Sequence, residues 1–180
     1  VHDGGPLASV PAVLAVQLAH EASLVHDDIV DAAEERRGVP TAAARKGVAA
    51  ALLLGDHLLT AAFRASAATG NVEFVSLFAR AVERTVAAEA EQARRAGVVL
   101  EHARYERIAL GKAGELLGCA LAAAPILEGR ADASDLFEMG RRLGLVYQML
   151  DDLLDYCPRA ETGKPSLSDY AQQRWTWVLE

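Results

Sequence analysis

Two clusters of aspartate with the same spacing are the residues in this chain best suited to chemistry. The first triplet is Asp27, Asp28 and Asp31, and the second triplet is Asp151, Asp152 and Asp155. On a helix, positions with this spacing fall within about 100° of arc, because each residue turns about 100° around the axis. Three carboxylates on one narrow face repel one another unless a cation neutralises them. Two such clusters facing each other would supply the hard oxygen ligands that suit Mg²⁺.

The repetition of the cluster is what favours a metal site. A lone copy could be a solvated helix end or a capping cluster. At this aspartate content, one such motif arises by chance in roughly one sequence in twenty-five, and two copies in roughly one in a thousand. The pair therefore predicts a site with two facing groups of carboxylates.

Basic residues follow both triplets. Arg36 and Arg37 come shortly after the first, Lys164 comes after the second, and Lys112 lies in an apolar stretch. An unpaired ammonium there would be costly. Carboxylates that bind metal, with arginines and lysines nearby, describe a phosphate or diphosphate site. For each residue alone a plain alternative stays open: solvated arginines, a lysine in a turn, and a Lys112 that reaches solvent.

The elements that must position these groups are helices. Helical periodicity dominates the 180 residues, 52% are hydrophobic, and residues 1–180 fit one all-α domain. The formal charge of −7 argues against a nucleic-acid partner. Cys119 and Cys157 have neither metal-type nor disulfide-type spacing, which favours a reducing, cytoplasmic setting. No transmembrane segment is expected.

The pattern predicts five long helices. They cover residues 11–31, 42–68 with an interruption at Gly47 or Gly55, 72–96, 105–124 and 134–156, with loops over 32–41 and 158–168. The fourth carries Gly111, Gly114 and Gly118 at three- or four-residue spacing, which would let another helix approach closely.

The motifs together resemble those of the trans-isoprenyl diphosphate synthases, the polyprenyl synthetase family. Residues 20–31 followed by Arg36, Arg37 and Gly38 are very similar to the family's first aspartate-rich region. Further matches follow in order, at Gly55-Asp56, at Glu89 and Gln92, over residues 105–117, at Tyr147-Gln148, at Gly163-Lys164-Pro165 and at Asp169. The resemblance implies a helical bundle around a central cavity, of the isoprenoid synthase type.

The resemblance also implies a chemistry. Both triplets would hold Mg²⁺, three ions per active site, which bind the diphosphate of an allylic substrate and help it leave as a carbocation forms. Isopentenyl diphosphate then attacks that cation, and a longer trans-polyprenyl diphosphate results. The partners are these two diphosphates and a second subunit in a homodimer.

Residue roles follow from the same resemblance. The six aspartates would be metal or metal-water ligands and, with Lys112 and Lys164, the catalytic set. Arg36, Lys112 and Lys164 would bind the allylic diphosphate. His20 and Arg37 would bind isopentenyl diphosphate, and Gln148 would support the allylic pocket. Arg174 stands where the family usually has a lysine. Ala19, Ala22 and Ser23 occupy the positions that limit product length, and their small size favours a long product.

Two departures keep alternatives open. The family's upstream Gly-Gly-Lys-Arg segment has no counterpart, since Gly4-Gly5 is followed by Pro6, and family members continue beyond this chain. The chain therefore resembles a core that lacks the family's N- and C-terminal parts. One alternative is a non-catalytic or partner-dependent subunit of a heteromeric prenyl synthase. Another is a class I terpene synthase, although that class usually replaces the second triplet with an Asn/Ser/Glu motif. A purely structural bundle is the third.

Overall fold

The computed structural model describes residues 9–157 and 167–179. Within them, helices form almost all of the regular structure, as the sequence predicts. In chain order the elements are α1 (Val10–Val30), β1 (Glu35–Arg36), β2 (Val39–Pro40), α2 (Ala42–Lys46), α3 (Val48–Ala68), α4 (Val72–Arg94), α5 (His102–Ala109), a π turn (Leu110–Gly114), α6 (Glu115–Leu127), α7 (Ala133–Asp155), α8 (Ser168–Ala171) and a 3₁₀ turn (Trp177–Leu179). The all-α fold class is confirmed.

The core is built mainly from small side chains. Alanines of α1, α3, α4 and α6 pack around two phenylalanines of α4, Phe74 and Phe78, which are fully buried. The rings of Phe74 and Phe78 stack with centroids 6.2 Å apart, and Phe63 meets Phe78 edge-on at 5.4 Å. Alanine is the best helix former and occupies little volume, so these helices form readily and pack closely.

Glycines let α6 and α7 touch backbone to backbone. A Cβ added at Gly144 would lie 2.4 Å from the Cα of Gly114, and one added at Gly140 would lie 2.6 Å from the carbonyl oxygen of Leu117. Such distances are far below any real Cβ contact. The predicted close approach at Gly114 is therefore present, and α7 is the helix that makes it.

A buried ion cluster ties the same region together. Glu115, at the start of α6, is only 3% exposed. Its carboxylate accepts hydrogen bonds from Arg84 of α4 at 3.2 Å and from Arg141 of α7 at 3.0 Å. Because a buried charge without partners is costly, these two arginines fix how α4 and α7 sit around α6.

The segment 32–68 agrees with the sequence prediction in one respect and differs in another. The interruption predicted in the helix over 42–68 lies at Gly47, which has φ +86°, a conformation that favours glycine, so this segment forms α2 and α3. Gly55 lies within α3 and does not interrupt it. The segment 32–41, predicted as a loop, contains a hairpin in which β1 pairs with β2. Its turn residues, Arg37 and Gly38, have φ of 53° and 76°, as in a type I′ turn.

Two helical stretches have the length and composition of a membrane span, Val48–Ala68 and His102–Leu127. Length and composition alone are weak evidence for a span, because a core helix of a soluble protein passes the same test, and His102–Leu127 is largely buried. The predicted loop over 158–168 falls almost wholly outside the described residues.

Candidate functional site

The first triplet lies at the C-terminal end of α1, where the hairpin folds back on it. Asp28 is 8% exposed, and its Oδ1 accepts a hydrogen bond from Nε of Arg36 at 2.8 Å. The I′ turn directs the chain back along itself, and Thr41 fixes its far end by donating through Oγ1 to the carbonyl of Ala33 at 2.8 Å. The hairpin therefore brings a guanidinium group to the carboxylates.

The C-terminal segment joins both triplets. Arg174 donates from Nη2 to Oδ1 of Asp31, and its Nη1 lies 3.9 Å from Oδ1 of Asp169. The backbone N–H of Asp169 in turn donates to Oδ2 of Asp155 at 2.9 Å. A continuous path of polar contacts thus runs from Asp31 to Asp155, which places the two triplets on the same site.

Asp152 of the second triplet is held on both of its oxygens. The hydroxyl of Tyr105, from α5, donates to Oδ2 at 2.7 Å, and the amide of Gln148, one turn back on α7, donates to Oδ1 at 2.8 Å. Tyr105 and Asp152 are 4% and 5% exposed. Burial, followed by the hydrogen bond to Asp152, raises the pKa of Tyr105, which therefore stays a donor.

Lys112 lies at the electrostatic centre of the site. It sits in the π turn, where Nζ contacts Oε1 of Gln92 at 2.5 Å and Oε1 of Glu89 at 3.1 Å, both on α4. Burial raises the pKa of Asp27, Asp152 and Asp169, and the positive charge of Lys112 opposes that rise at each of them. The ammonium group is therefore near enough to act on carboxyls of both triplets.

Negative charge exceeds positive charge around this lysine. Burial, followed by repulsion from Glu89, raises the pKa of Asp27 to about 7. Burial, followed by repulsion from Asp152 and Asp155, raises the pKa of Asp169 to about 7. Burial and like charge both disfavour the ionised form of these carboxyls, and a divalent cation would favour it, so the donor set fits such a cation.

The carboxylates are not gathered into a closed cage. In residues 9–157 and 167–179, no group of three or more acidic, histidine or cysteine side chains is close enough to hold one ion. Mg²⁺ usually takes only one or two protein carboxylates, keeps several waters and completes its shell with substrate phosphate oxygens. Two separated groups of carboxylates therefore suit Mg²⁺ that bridges the protein to a phosphate ligand.

The other predicted site residues have varied positions. His20 is exposed on α1, and Arg37 is exposed in the hairpin turn. Ala19 and Ala22 are buried in the α1 interface at 3% and 1% exposure, whereas Ser23 is half-buried and donates to the carbonyl of His20 at 2.8 Å. The predicted roles of these five residues stay predictions. Lys164 lies outside the described residues.

Four residues belong to the site although the sequence prediction gave them no role in it: Tyr105, Glu89, Gln92 and Asp169. Each was noted only as a position that matches the family. Glu89 and Gln92 are spaced by three residues on α4 and so share a face, which is a signal that could have paired them with Lys112. The contact between Tyr105 and Asp152 joins residues 47 apart and has no local signal.

The comparison with known families decides to which family the chain belongs. The family described as polyprenyl synthetase matches residues 8–180. The chain belongs to the polyprenyl synthetase family. The functional roles of the two triplets and of Lys112 stay predictions.

Curated members of the polyprenyl synthetase family are similar over most of this chain. Solanesyl-diphosphate synthase 1, mitochondrial, of Oryza sativa subsp. japonica is 41% identical over 163 residues, which are 85% of this chain and 36% of that protein. Octaprenyl diphosphate synthase of Haemophilus influenzae is 34% identical over 175 residues, which are 95% of this chain and 53% of that protein. The chain thus spans about half the length, or less, of these relatives.

Solved polyprenyl synthetase structures share the fold. The polyprenyl synthase of Caulobacter crescentus, crystallised in complex with calcium and isoprenyl diphosphate, superposes with a TM-score of 0.85 at 32% identity. The match covers 95% of this chain and 58% of that one. The isoprenoid synthase type of fold, predicted from the resemblance, is confirmed.

Proposed function

We propose that this chain is the core of an Mg²⁺-dependent prenyltransferase that condenses an allylic diphosphate with isopentenyl diphosphate to give a longer trans-polyprenyl diphosphate. The observation that carries this proposal is the path of polar contacts that joins the two triplets, from Asp31 through Arg174 and Asp169 to Asp155. A diphosphate group between the triplets would meet carboxylates on two sides and the ammonium group of Lys112. The named relatives are synthases of solanesyl and octaprenyl diphosphates, which supports the same reaction class.

The proposed roles of the residues concern binding of the diphosphate and its departure. Mg²⁺, when bound by the triplets, neutralises the diphosphate and acts as a Lewis acid toward it. Lys112 and Arg36 would bind the diphosphate oxygens. Arg36 donates from Nε to Asp28, which leaves its two terminal NH₂ groups to donate to the anion. The allylic C–O bond breaks, and the diphosphate leaves with the electron pair. The double bond of isopentenyl diphosphate then forms the new C–C bond, and a proton is lost.

The remaining roles belong to the same proposal. Lys164 and Gln148 complete the allylic site, Arg174 acts in place of the family's usual lysine, and His20 and Arg37 bind isopentenyl diphosphate. Cys119 and Cys157 are not joined by a disulfide, which agrees with the cytoplasmic location included in the proposal.

The test is an elongation assay. The chain is incubated with Mg²⁺, farnesyl diphosphate and isopentenyl diphosphate, and the products are analysed by mass spectrometry beside an EDTA control. We expect a metal-dependent ladder of five-carbon additions. If no product forms, a partner-dependent subunit is the better account, and a cyclic hydrocarbon would instead indicate a terpene synthase. The variant Asp151→Asn should lose the ladder, whereas Asp135→Asn, an exposed aspartate at the start of α7, should keep it.

Product length depends on the residues beneath the first triplet. Ser23 lies one turn before Asp27 and is half-buried, so a large side chain fits there at less cost than at Ala22, which is 1% exposed. Ser23→Phe should shorten the longest product by at least one five-carbon unit, because the ring occupies the path of the growing chain. The matched variant Ser23→Ala should leave the product length unchanged. Equal ladders for both variants would exclude this position as the limit.

A further inference from the structure

Thr85 lies where α4 meets the π turn that carries Lys112. It is 5% exposed, and its Oγ1 lies 3.1 Å from the carbonyl oxygen of Gly111 and 3.0 Å from that of Ala81. Ala81 is one turn back on the same helix, whereas Gly111 belongs to the π turn itself. The single hydroxyl proton is therefore shared between a carbonyl of its own helix and one across the interface, on the residue directly before Lys112.

The backbone of the π turn is pressed against α4 at the same point. A Cβ added at Gly111 would lie 2.4 Å from the Cβ of Ala88 and 3.3 Å from the carbonyl oxygen of Arg84. Thr85, Ala88, Glu89 and Gln92 follow one another at intervals of three, one and three residues, so they form a single stripe on α4. Thr85 and Ala88 contact Gly111, and Glu89 and Gln92 contact the ammonium group of Lys112.

The π turn needs such a support to persist. In it the N–H of Glu115 donates to the carbonyl of Leu110, five residues back, where a regular α-helix would use a spacing of four. A change to the α-helical register moves side chains by one position, which is a rotation of about 100° around the helix axis. Such a rotation would take Lys112 away from Glu89 and from the carboxylates of both triplets.

We propose that Thr85 is a positioning residue, whose hydroxyl holds the π turn in place and thereby keeps the ammonium group of Lys112 between the two triplets. The importance of this for catalysis rests on the proposed function, because Lys112 is there assigned to the allylic diphosphate. The position of the Lys112 ammonium group can be measured in the absence of catalytic turnover.

Lysine NMR measures the position of Lys112 directly. The chain has three lysines, Lys46, Lys112 and Lys164, so protein labelled with ¹³C at lysine Cε gives three signals, and Lys112→Arg identifies the one that matters. Thr85→Val has nearly the same shape but no hydroxyl. We expect it to shift or broaden the Lys112 signal, whereas Thr85→Ser should keep the wild-type signal.

The control and a second variant keep the experiment decisive. Thr60 is exposed on α3 and donates within its own helix, from Oγ1 to the carbonyl of His57 at 2.9 Å, so Thr60→Val should not move the Lys112 signal. Thr85→Ala repeats the test if circular dichroism shows that the valine variant does not fold. A Lys112 signal that is unchanged in folded Thr85→Val or Thr85→Ala would overturn the inference.

Steady-state kinetics test the consequence for substrate. In Thr85→Val, a displaced Lys112 would lose its hydrogen bond to the allylic diphosphate. Loss of a hydrogen bond between charged groups weakens binding by roughly tenfold or more, so KM for the allylic diphosphate should rise by about tenfold. KM for isopentenyl diphosphate should change much less, and Thr85→Ser should restore both values. Equal rises in the two KM values would contradict a role through Lys112. A wild-type chain without turnover would overturn the proposed function alone, since the NMR signal reports the position of Lys112 independently.

Discussion

The three aspartates within each triplet have different surroundings. The middle member of each is buried and held by other side chains, Asp28 by Arg36, and Asp152 by Tyr105 and Gln148. Both oxygens of Asp152 already accept hydrogen bonds, which leaves this carboxylate little capacity for a cation. We therefore expect Asp152 to orient the second triplet more than to bind Mg²⁺ directly.

Removing the hydroxyl of Tyr105 tests this division. Tyr105→Phe leaves Oδ2 of buried Asp152 without its donor, which should cost about 1–3 kcal/mol of unfolding free energy. Because the carboxylate is then less well fixed, the Mg²⁺ concentration for half-maximal turnover should rise several-fold. Thermal unfolding and a Mg²⁺ titration measure the two effects. Tyr170→Phe, at a site 68% exposed, is the control, and equal behaviour of the two variants would contradict the role of Tyr105.

Asp27 gives the metal-free protein a distinctive pH dependence. The pKa of this carboxyl is raised from 3.8 to about 7 by burial and then by Glu89, so between these pH values the folded state binds more protons than the unfolded state. The free energy of unfolding should therefore fall as pH rises from about 4 to about 7 in EDTA. Asp27→Asn should lack this contribution, and its melting temperature at pH 8 should exceed that of the wild type by a few degrees.

The matched control for this experiment is Glu83→Gln, at an exposed position of α4. It should follow the wild type at both pH 5 and pH 8. Addition of Mg²⁺ should raise the melting temperature of the wild type more than that of Asp27→Asn, because the variant has lost a charged ligand. A variant no more stable than the wild type at pH 8 in EDTA would contradict the raised pKa.

At this scale, the local signals in the sequence predicted residues that the structure brings together, and the roles of these residues stay predictions. The aspartate spacing predicted both triplets, and Arg36 and Lys112 were placed with them. Tyr105 could not be paired with Asp152, because a contact across 47 residues depends on how α5 packs against α7. The contact from Gln148 to Asp152, by contrast, spans one helical turn and had a local signal in its spacing of four residues.

At the scale of elements, the contact between α6 and α7 sets the second triplet relative to Lys112. Gly144→Ala should destabilise the fold by about 2–4 kcal/mol, because its Cβ would lie 2.4 Å from backbone at Gly114 and the helices would have to separate. Denaturant unfolding measures this. Arg142→Ala, on the exposed side of α7, should change stability by less than about 0.5 kcal/mol. A mild effect of Gly144→Ala would show that the two helices can move apart freely.

Helix positions were predicted closely, and the exceptions have physical reasons. Observed α1 begins and ends within one residue of the predicted helix, and α7 likewise. The hairpin was missed because each strand has two residues and its turn has Arg37 in place of the usual asparagine or aspartate. The π turn was missed because its register depends on α4, through Thr85 and Gly111, and leaves no period of its own in the sequence.

At the scale of the molecule, α3 is the surface on which we propose that a second copy docks. Its outward side chains are apolar and exposed, among them Leu53 at 68%, Val48 at 60% and Leu52 at 48%. Several large apolar side chains exposed on one helix are a reason to propose an association site there. An isologous dimer would cover it on both subunits at once.

Charge at the centre of this surface should prevent association. Leu53→Glu should give a monomer by light scattering at concentrations where the wild type is a dimer, because a buried unpaired carboxylate is costly. Val99→Glu, 69% exposed between α4 and α5, is the control and should remain dimeric. A monomeric wild type, or a dimer of Leu53→Glu, would contradict the proposed surface.

The bond between Arg174 and Asp31 also has a consequence for biosynthesis. It joins residues 143 apart in the chain. At about 5–20 residues per second, the ribosome adds Arg174 roughly 7–30 seconds after Asp31. Throughout that interval, nascent Asp31 lacks this guanidinium partner, whereas Arg36 follows Asp28 by only eight residues. The link between the two triplets through Arg174 therefore forms only after all of α7 has been synthesised.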